Sequence, residues 1–137
     1  MSMQWVELVT LAAIVQLFIF GGLVGNARRR YNVPPPAPTG HEMFDRYQRV
    51  HMNTLETMVV FLPALWIAAQ YWRQEIVAPI GVVYLIGRQL YLSGYINEPK
   101  RRGLGYGLSI LPTFALVVLA VIGIVRAWLA AGTVGAV

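Results

Sequence analysis

Four long apolar stretches, at about 5–27, 44–72, 76–96 and 104–129, leave this chain of 137 residues few ways to fold. An α-helix needs about 20 apolar residues to cross the hydrocarbon core of a bilayer, and each stretch reaches that length. The charge content agrees. Only 12% of residues are charged and 57% are hydrophobic, whereas a soluble domain carries about 25% charged residues. The expectation is an all-α, four-transmembrane-helix bundle forming a single integral-membrane domain over residues 1–137. The start does not read as a cleavable signal: it lacks Lys and Arg, carries Glu7, and its apolar run is long enough to remain as a span.

The connections are as informative as the spans. The first span is anchored by Trp5, carries Gly21-Gly22-Leu23-Val24-Gly25 near its far end and closes on Arg28-Arg29-Arg30. Gly21 and Gly25 form a small-residue pair that permits close helix approach, with packing inside one subunit as the simpler reading. Residues 31–41 hold Pro34-Pro35-Pro36-Ala37-Pro38 and are expected to form a stiff, extended loop. The second helix starts near Met43, with Asp45 in its first turn where the helix dipole favours an anion, and Pro63 is a site for a kink. Arg73-Gln74-Glu75 is a short turn implying antiparallel neighbours, and Asn97 to Gly103 makes a basic one. Lys and Arg are concentrated in the first and third loops, which the positive-inside rule assigns to the cytoplasm, with both ends outside. If bacterial, the chain would sit in the inner membrane. The net charge of +5 therefore reads as topology signals and an anion site, not as a nucleic-acid surface.

One stretch breaks the apolar pattern. Phe44-Asp45-Arg46-Tyr47-Gln48-Arg49-Val50-His51-Met52-Asn53-Thr54-Leu55-Glu56-Thr57 runs directly into the oily Met58-Val59-Val60-Phe61. On a helix, Arg46, Arg49, Asn53 and Glu56 fall within an arc of roughly 80°. Charged groups entering a membrane are costly and usually mark a site. The third span carries a second polar face, with Tyr84, Arg88, Tyr91 and Tyr95 within about 60°. Together with Arg102, these faces offer several cations, one carboxylate and two phenols near one leaflet. A small zwitterion with excess negative charge, such as a peptide with two carboxylates and one amine, matches that set.

Structural readings compete for the same residues. Arg46, Arg49 and Glu56 can form an internal ion-pair network, Arg88 is expected to be structural, paired with Glu56 or a carbonyl, and Tyr84 reads as a buried or interfacial aromatic. His51 lies roughly 140° from Arg46 on the wheel and His41 falls in the loop, so no metal site is expected. The chain has no cysteine, which removes a protein thiol nucleophile and leaves activation of a ligand's own nucleophile as the available chemistry. Gly103-Leu104-Gly105-Tyr106-Gly107 opens a span and follows no strand, so it is not a dinucleotide fingerprint.

Asp45-Arg46-x-x-Arg49-x-His51-x-Asn53-x-x-Glu56 resembles the second-helix motif of the MAPEG family, the membrane-associated proteins in eicosanoid and glutathione metabolism. The resemblance extends to the basic end of the first span, to Arg88-x-x-Tyr91-x-x-x-Tyr95 and to the Arg102 turn, covering nearly the whole chain. It implies a homotrimer of four-helix subunits with glutathione as co-substrate, bound between neighbouring subunits near the cytoplasmic face, and a lipophilic second substrate arriving from the bilayer. By the same resemblance, Arg49, Asn53 and Glu56 hold the glutathione backbone, Tyr91 and Tyr95 contact it, and Arg28 supplies a basic contact. His51 matches a polar glutathione contact, which requires that a neighbouring subunit use its face. Arg102 matches the arginine that stabilises the thiolate, and Arg29 one proposed to act on the second substrate. Arg101 is a one-step register alternative, but Tyr106, four residues past Arg102, favours Arg102. Thr57 stands where some members have a glutathione-contacting tyrosine, and Gly103 where prostaglandin E synthase has a serine. Those departures bear on eicosanoid-specific activity rather than on glutathione binding.

The expected function is thus a membrane glutathione transferase, with peroxidase activity on lipid hydroperoxides. The alternatives are a non-catalytic lipid-binding scaffold of the same fold and a small proton-coupled exporter that uses Glu56.

Overall fold

The computed structural model describes residues 2–134, which form four helices: α1 (Gln4–Arg30), α2 (Glu42–Tyr71), α3 (Gln74–Asn97) and α4 (Arg102–Val134). There is no strand among the described residues. All four helices are long and apolar enough to cross a membrane. α4 continues to Val134, beyond the 129 expected, because Ala130 and Ala131 are strong helix formers and Gly132 alone does not stop it. Pro63, Pro79 and Pro112 all lie inside helices that continue through them.

The loop after α1 differs from the extended segment its prolines suggest. Asn32, at φ 54, turns the chain away from the helix in a conformation asparagine tolerates. A tight turn at 34–37 then closes with the Ala37 amide donating to the Pro34 carbonyl at 3.1 Å. Arg28 fastens this turn by donating to the Ala37 carbonyl at 2.8 Å and lying 4.6 Å from the centre of the Phe44 ring. His41 then caps α2, its Nδ1 accepting from the Met43 amide at 3.1 Å. Asp45, in the first turn as expected, accepts from the Gly40 amide at 3.1 Å. These contacts set the height at which the polar stripe of α2 begins.

The core joins α1, α2 and α3 through Val6, Ala13, Phe61, Leu65 and Val77, with Leu116 from α4. Tyr84 is buried in it, stacked on Phe61 with ring centres 3.7 Å apart. Outside the bundle lie Phe18, Leu111, Phe114 and Trp128, each more than 60% exposed. A bilayer solvates such a surface and water does not. The α3–α4 pair makes the most extensive contact. Gly105 allows it: a Cβ there would fall 2.2 Å from the Tyr91 backbone nitrogen. Of the glycines at the start of α4, Gly105 therefore serves helix packing, with the Tyr91 backbone directly across from it, while Gly103 and Gly107 face open space. Of the Gly21/Gly25 pair, Gly21 meets His51 within the same chain and Gly25 faces open space.

Candidate functional site

Six of the expected site residues form one chain of contacts across α2, α3 and α4. Arg49 and Glu56 are one α2 stripe apart, with Arg49 Nη1 3.7 Å from Glu56 Oε1 and both side chains about half exposed. Glu56 Oε2 accepts from Asn53 Nδ2 at 3.4 Å. The Asn53 Oδ1 accepts from Arg88 Nη1 at 2.8 Å. The Arg88 guanidinium lies 4.3 Å from the centre of the Tyr91 ring. Tyr91 and Tyr95 have ring centres 5.6 Å apart, and Arg102 reaches over Tyr95 at 5.7 Å. Arg49 and Tyr95 meet again as lining of an open recess of about 720 Å³ between the start of α2 and the end of α3.

Within this set, burial separates two kinds of arginine. Arg88 is fully buried. Arg49 and Arg102 are exposed, and Arg102 donates to the Pro99 carbonyl at 3.2 Å without being buried by it. Arg101, the register alternative, pairs instead with Glu98 at 2.8 Å. Arg46 belongs to the framework: it donates to the Ile96 carbonyl at the end of α3 at 2.8 Å and pairs with Glu42 one turn back. Of the two partners expected for Arg88, Glu56 or a carbonyl, Glu56 is corrected: it pairs with Arg49, and the carbonyl that Arg88 meets is the side-chain amide of Asn53. The partners of Arg88 are Ser109, the Asn53 amide oxygen, Thr54 and Thr57, because Glu56 projects to the helix surface while Arg88 points into the three-helix junction.

Three other expected residues lie outside this chain of contacts. Arg28 is engaged with the proline loop. Arg29 is exposed beside it, in a cleft with Asn32 and Pro34. His51 is half-buried in a crevice against α1, with Phe18, Gly21 and Gly22. No group of His, Asp and Glu suited to a metal occurs among the described residues.

Sequence reasoning passed over Thr54 and Ser109 and read Thr57 only as a departure from a family tyrosine, yet all three converge on Arg88. Small hydroxyl residues in an apolar helix carry little signal of their own. The usable signal was Arg88 itself, since an arginine at mid-span requires acceptors from its neighbours. A further feature is a cleft of about 370 Å³ between α2 and α4, polar at Asn53, Glu56 and Thr57 and apolar at Val60, Phe114 and Val117. Chemically, the arrangement offers accessible Arg49 at a polar recess with Tyr95, accessible Arg102 over the Tyr95 ring, and the Glu56 carboxylate at the polar end of a cleft whose other end is largely apolar.

Comparison with known proteins gives this geometry a context. The model of the MAPEG family matches residues 6–122. An uncharacterised protein of Synechocystis sp. is 42% identical over 123 residues, covering 90% of each chain. The microsomal glutathione S-transferase 2 of Homo sapiens is 36% identical over 121 residues, 88% of this chain and 82% of the relative. The leukotriene C4 synthase of Bos taurus is 33% identical over 123 residues, 90% of this chain and 82% of the relative.

Proposed function

This chain belongs to the MAPEG family, and we propose on that footing that it is a membrane-bound glutathione transferase, with peroxidase activity on lipid hydroperoxides. The observation that carries the reading is accessible Arg49, paired with Glu56 and lining a recess with Tyr95, over whose ring the accessible Arg102 reaches, in a chain without any cysteine. Arg49 and Asn53 take carboxylate oxygens of glutathione and Glu56 takes its ammonium, since guanidinium and amide donate where a carboxylate accepts. Tyr91 and Tyr95 flank the tripeptide. Arg102 holds the sulfur as thiolate. A drop of about 2 units in the thiol pKa corresponds to roughly 2.7 kcal/mol.

In conjugation, the thiol proton leaves to water, the sulfur lone pair forms a C–S bond, and the electrophile's leaving group departs with its electron pair. With a hydroperoxide, the sulfur attacks the terminal oxygen and the O–O bond breaks. The alkoxide takes a proton to become an alcohol, and a second glutathione reduces the resulting sulfenic acid to the disulfide and water. The lipophilic partner enters along the α2–α4 groove, which is largely apolar at the end away from Glu56.

The same proposal makes the unit a homotrimer. Arg28, Arg29 and His51 sit against α1 or its end, apart from the Arg49–Tyr95 recess of their own chain. In a trimer they serve the recess of a neighbour, with Arg29 acting on the second substrate. The first and third loops, which carry the basic residues, face the cytoplasm.

Isothermal titration of glutathione into the detergent-solubilised protein, with the particle mass measured alongside, tests the reading. Binding at up to one site per chain in a trimer is expected. No binding would leave the lipid scaffold as the surviving alternative. The exporter reading requires proton-coupled transport abolished by Glu56→Gln, and a carboxylate 3.7 Å from an arginine is poorly placed to attract cations.

A further inference from the structure

Arg88 is fully buried, and no carboxylate lies within ion-pair distance of it among the described residues. Its shell is made of neutral acceptors. Nε donates to Ser109 Oγ at 2.8 Å, while Nη1 donates to Asn53 Oδ1 at 2.8 Å and, at longer range, to Thr54 Oγ1 at 3.3 Å and Thr57 Oγ1 at 3.5 Å. The two nearer hydroxyls have no freedom to do otherwise. Ser109 has given its hydrogen to the Gly105 carbonyl at 2.7 Å and Thr54 to the Val50 carbonyl at 2.7 Å, so each faces Arg88 with lone pairs only. Asn53 differs, because an amide turned by 180° exchanges its acceptor for a donor with almost no change of shape. A guanidinium has only donors, and Nη2 of Arg88 already lacks a partner. Turning the Asn53 amide would bring NH₂ against that excess of donors in a buried site, which is costly.

We propose that Arg88 is a positioning residue for glutathione binding, holding the Asn53 amide with its oxygen inward and its NH₂ toward Glu56 and the groove. The observed Asn53 Nδ2 to Glu56 Oε2 distance of 3.4 Å is the outward half of this arrangement. The site consequently offers an incoming peptide a donor at this position and never an acceptor. It selects a ligand acceptor there, such as a carboxylate or amide oxygen. This inference rests on the glutathione reading above, because it concerns how the residue assigned to the peptide is aimed. Arg88 itself touches no ligand atom in it.

The test is glutathione titration, together with conjugation kinetics, on the full-length protein in detergent, using Arg88→Met, Arg88→Lys, Asn53→Ala, Asn53→Asp and the double variant Arg88→Met/Asn53→Ala. Arg88→Met frees the amide and weakens glutathione binding by about tenfold, the scale of a lost charge-assisted hydrogen bond. The loss is expected in Kd and KM more than in kcat, and Arg88→Lys, which keeps a donor facing Oδ1, restores part of it. With Asn53 already cut to alanine, Arg88→Met should cost little more, as expected for two residues acting as one unit. Additive losses, or a fall in kcat equal to the loss in affinity, would overturn the inference. Should Arg88→Met fail to fold, Asn53→Asp decides alone. It keeps an oxygen against Arg88 but turns an acceptor outward, so it must bind glutathione more weakly than Asn53→Ala, and equal or tighter binding overturns the proposal. Wild type that binds no glutathione removes the glutathione reading and this inference together. Wild type that binds, with additive variants, removes only the inference.

Discussion

Arg88 and Arg102 lie on the same side of the molecule, both within reach of the tyrosine pair Tyr91 and Tyr95, yet they have opposite fates. Arg88 is 0% exposed and distributes its donors among neutral acceptors on two neighbouring helices, α2 and α4. Arg102 begins α4, donates one hydrogen bond to the Pro99 carbonyl, reaches over the Tyr95 ring and stays accessible. Hydrophobic surroundings explain the first: a cation in the bundle interior needs acceptors from its neighbours, and here Nε and Nη1 find them while Nη2 does not. The second has water and the loop around it, so nothing requires it to be satisfied within its own chain. The contrast separates arginines that hold the framework from arginines left available to a ligand, and it does so among residues that look alike in sequence. Arg46 falls with Arg88 and Arg49 with Arg102.

The largest expected effect tests the framework side. Gly105→Ala places a Cβ against the Tyr91 backbone, which cannot retreat as a side-chain tip could. Thermal unfolding in detergent should show a loss of about 3 kcal/mol, the upper end for overpacking, whereas Gly103→Ala, with open space around it, should be neutral or slightly stabilising. Next in size is the accessible side. Arg102→Ala should slow conjugation of glutathione to a general aromatic electrophile by about 100-fold at neutral pH, the factor for a thiol pKa raised by about 2 units, with the fold intact. The thiolate absorbance of bound glutathione should weaken in parallel. Equal rates in Arg102→Ala and wild type would remove Arg102 from the mechanism and with it the division drawn above. A smaller effect is expected at Arg49→Ala, which should raise the KM for glutathione by about tenfold and leave kcat nearly unchanged, as for a contact made equally in ground and transition states.

The spans and the polar stripe, though not this division, were legible in the sequence, for specific reasons. The spans were plain because a bilayer demands length and apolarity, which are local properties. The α2 stripe was plain because Arg46, Arg49, Asn53 and Glu56 recur on one helical face. What the wheel could not show was which neighbour each residue meets. Arg88 and Glu56 were natural partners by charge, but the crossing of α3 and α4 at Gly105 draws Arg88 toward Ser109, and Glu56 stays outside with Arg49. The proline loop was misjudged in shape for a related reason. Its turn is fastened by Arg28 and Phe44, one before the loop and one after it, and composition alone does not register that clasp. His51 points away from the stripe, as its angle on the wheel implies, into a crevice against α1.

The smallest expected effect sharpens the boundary between the two classes. Arg101 and Glu98 form a close pair, 2.8 Å apart, but the side chains are 78% and 52% exposed. Surface pairs of this kind contribute about 0–1 kcal/mol, so Glu98→Gln should shift the unfolding temperature by no more than a few degrees and leave conjugation within about twofold. The position is informative because the pair spans the short 3₁₀ turn at Pro99–Arg101, whose next residue is Arg102. If stability is unchanged but conjugation falls tenfold, this turn is aiming Arg102 at the sulfur. Arg101 would then be a working neighbour of the thiolate site rather than a solvated charge. The line between framework and ligand-facing arginines would then run through the Glu98–Arg101 pair, not between it and Arg102.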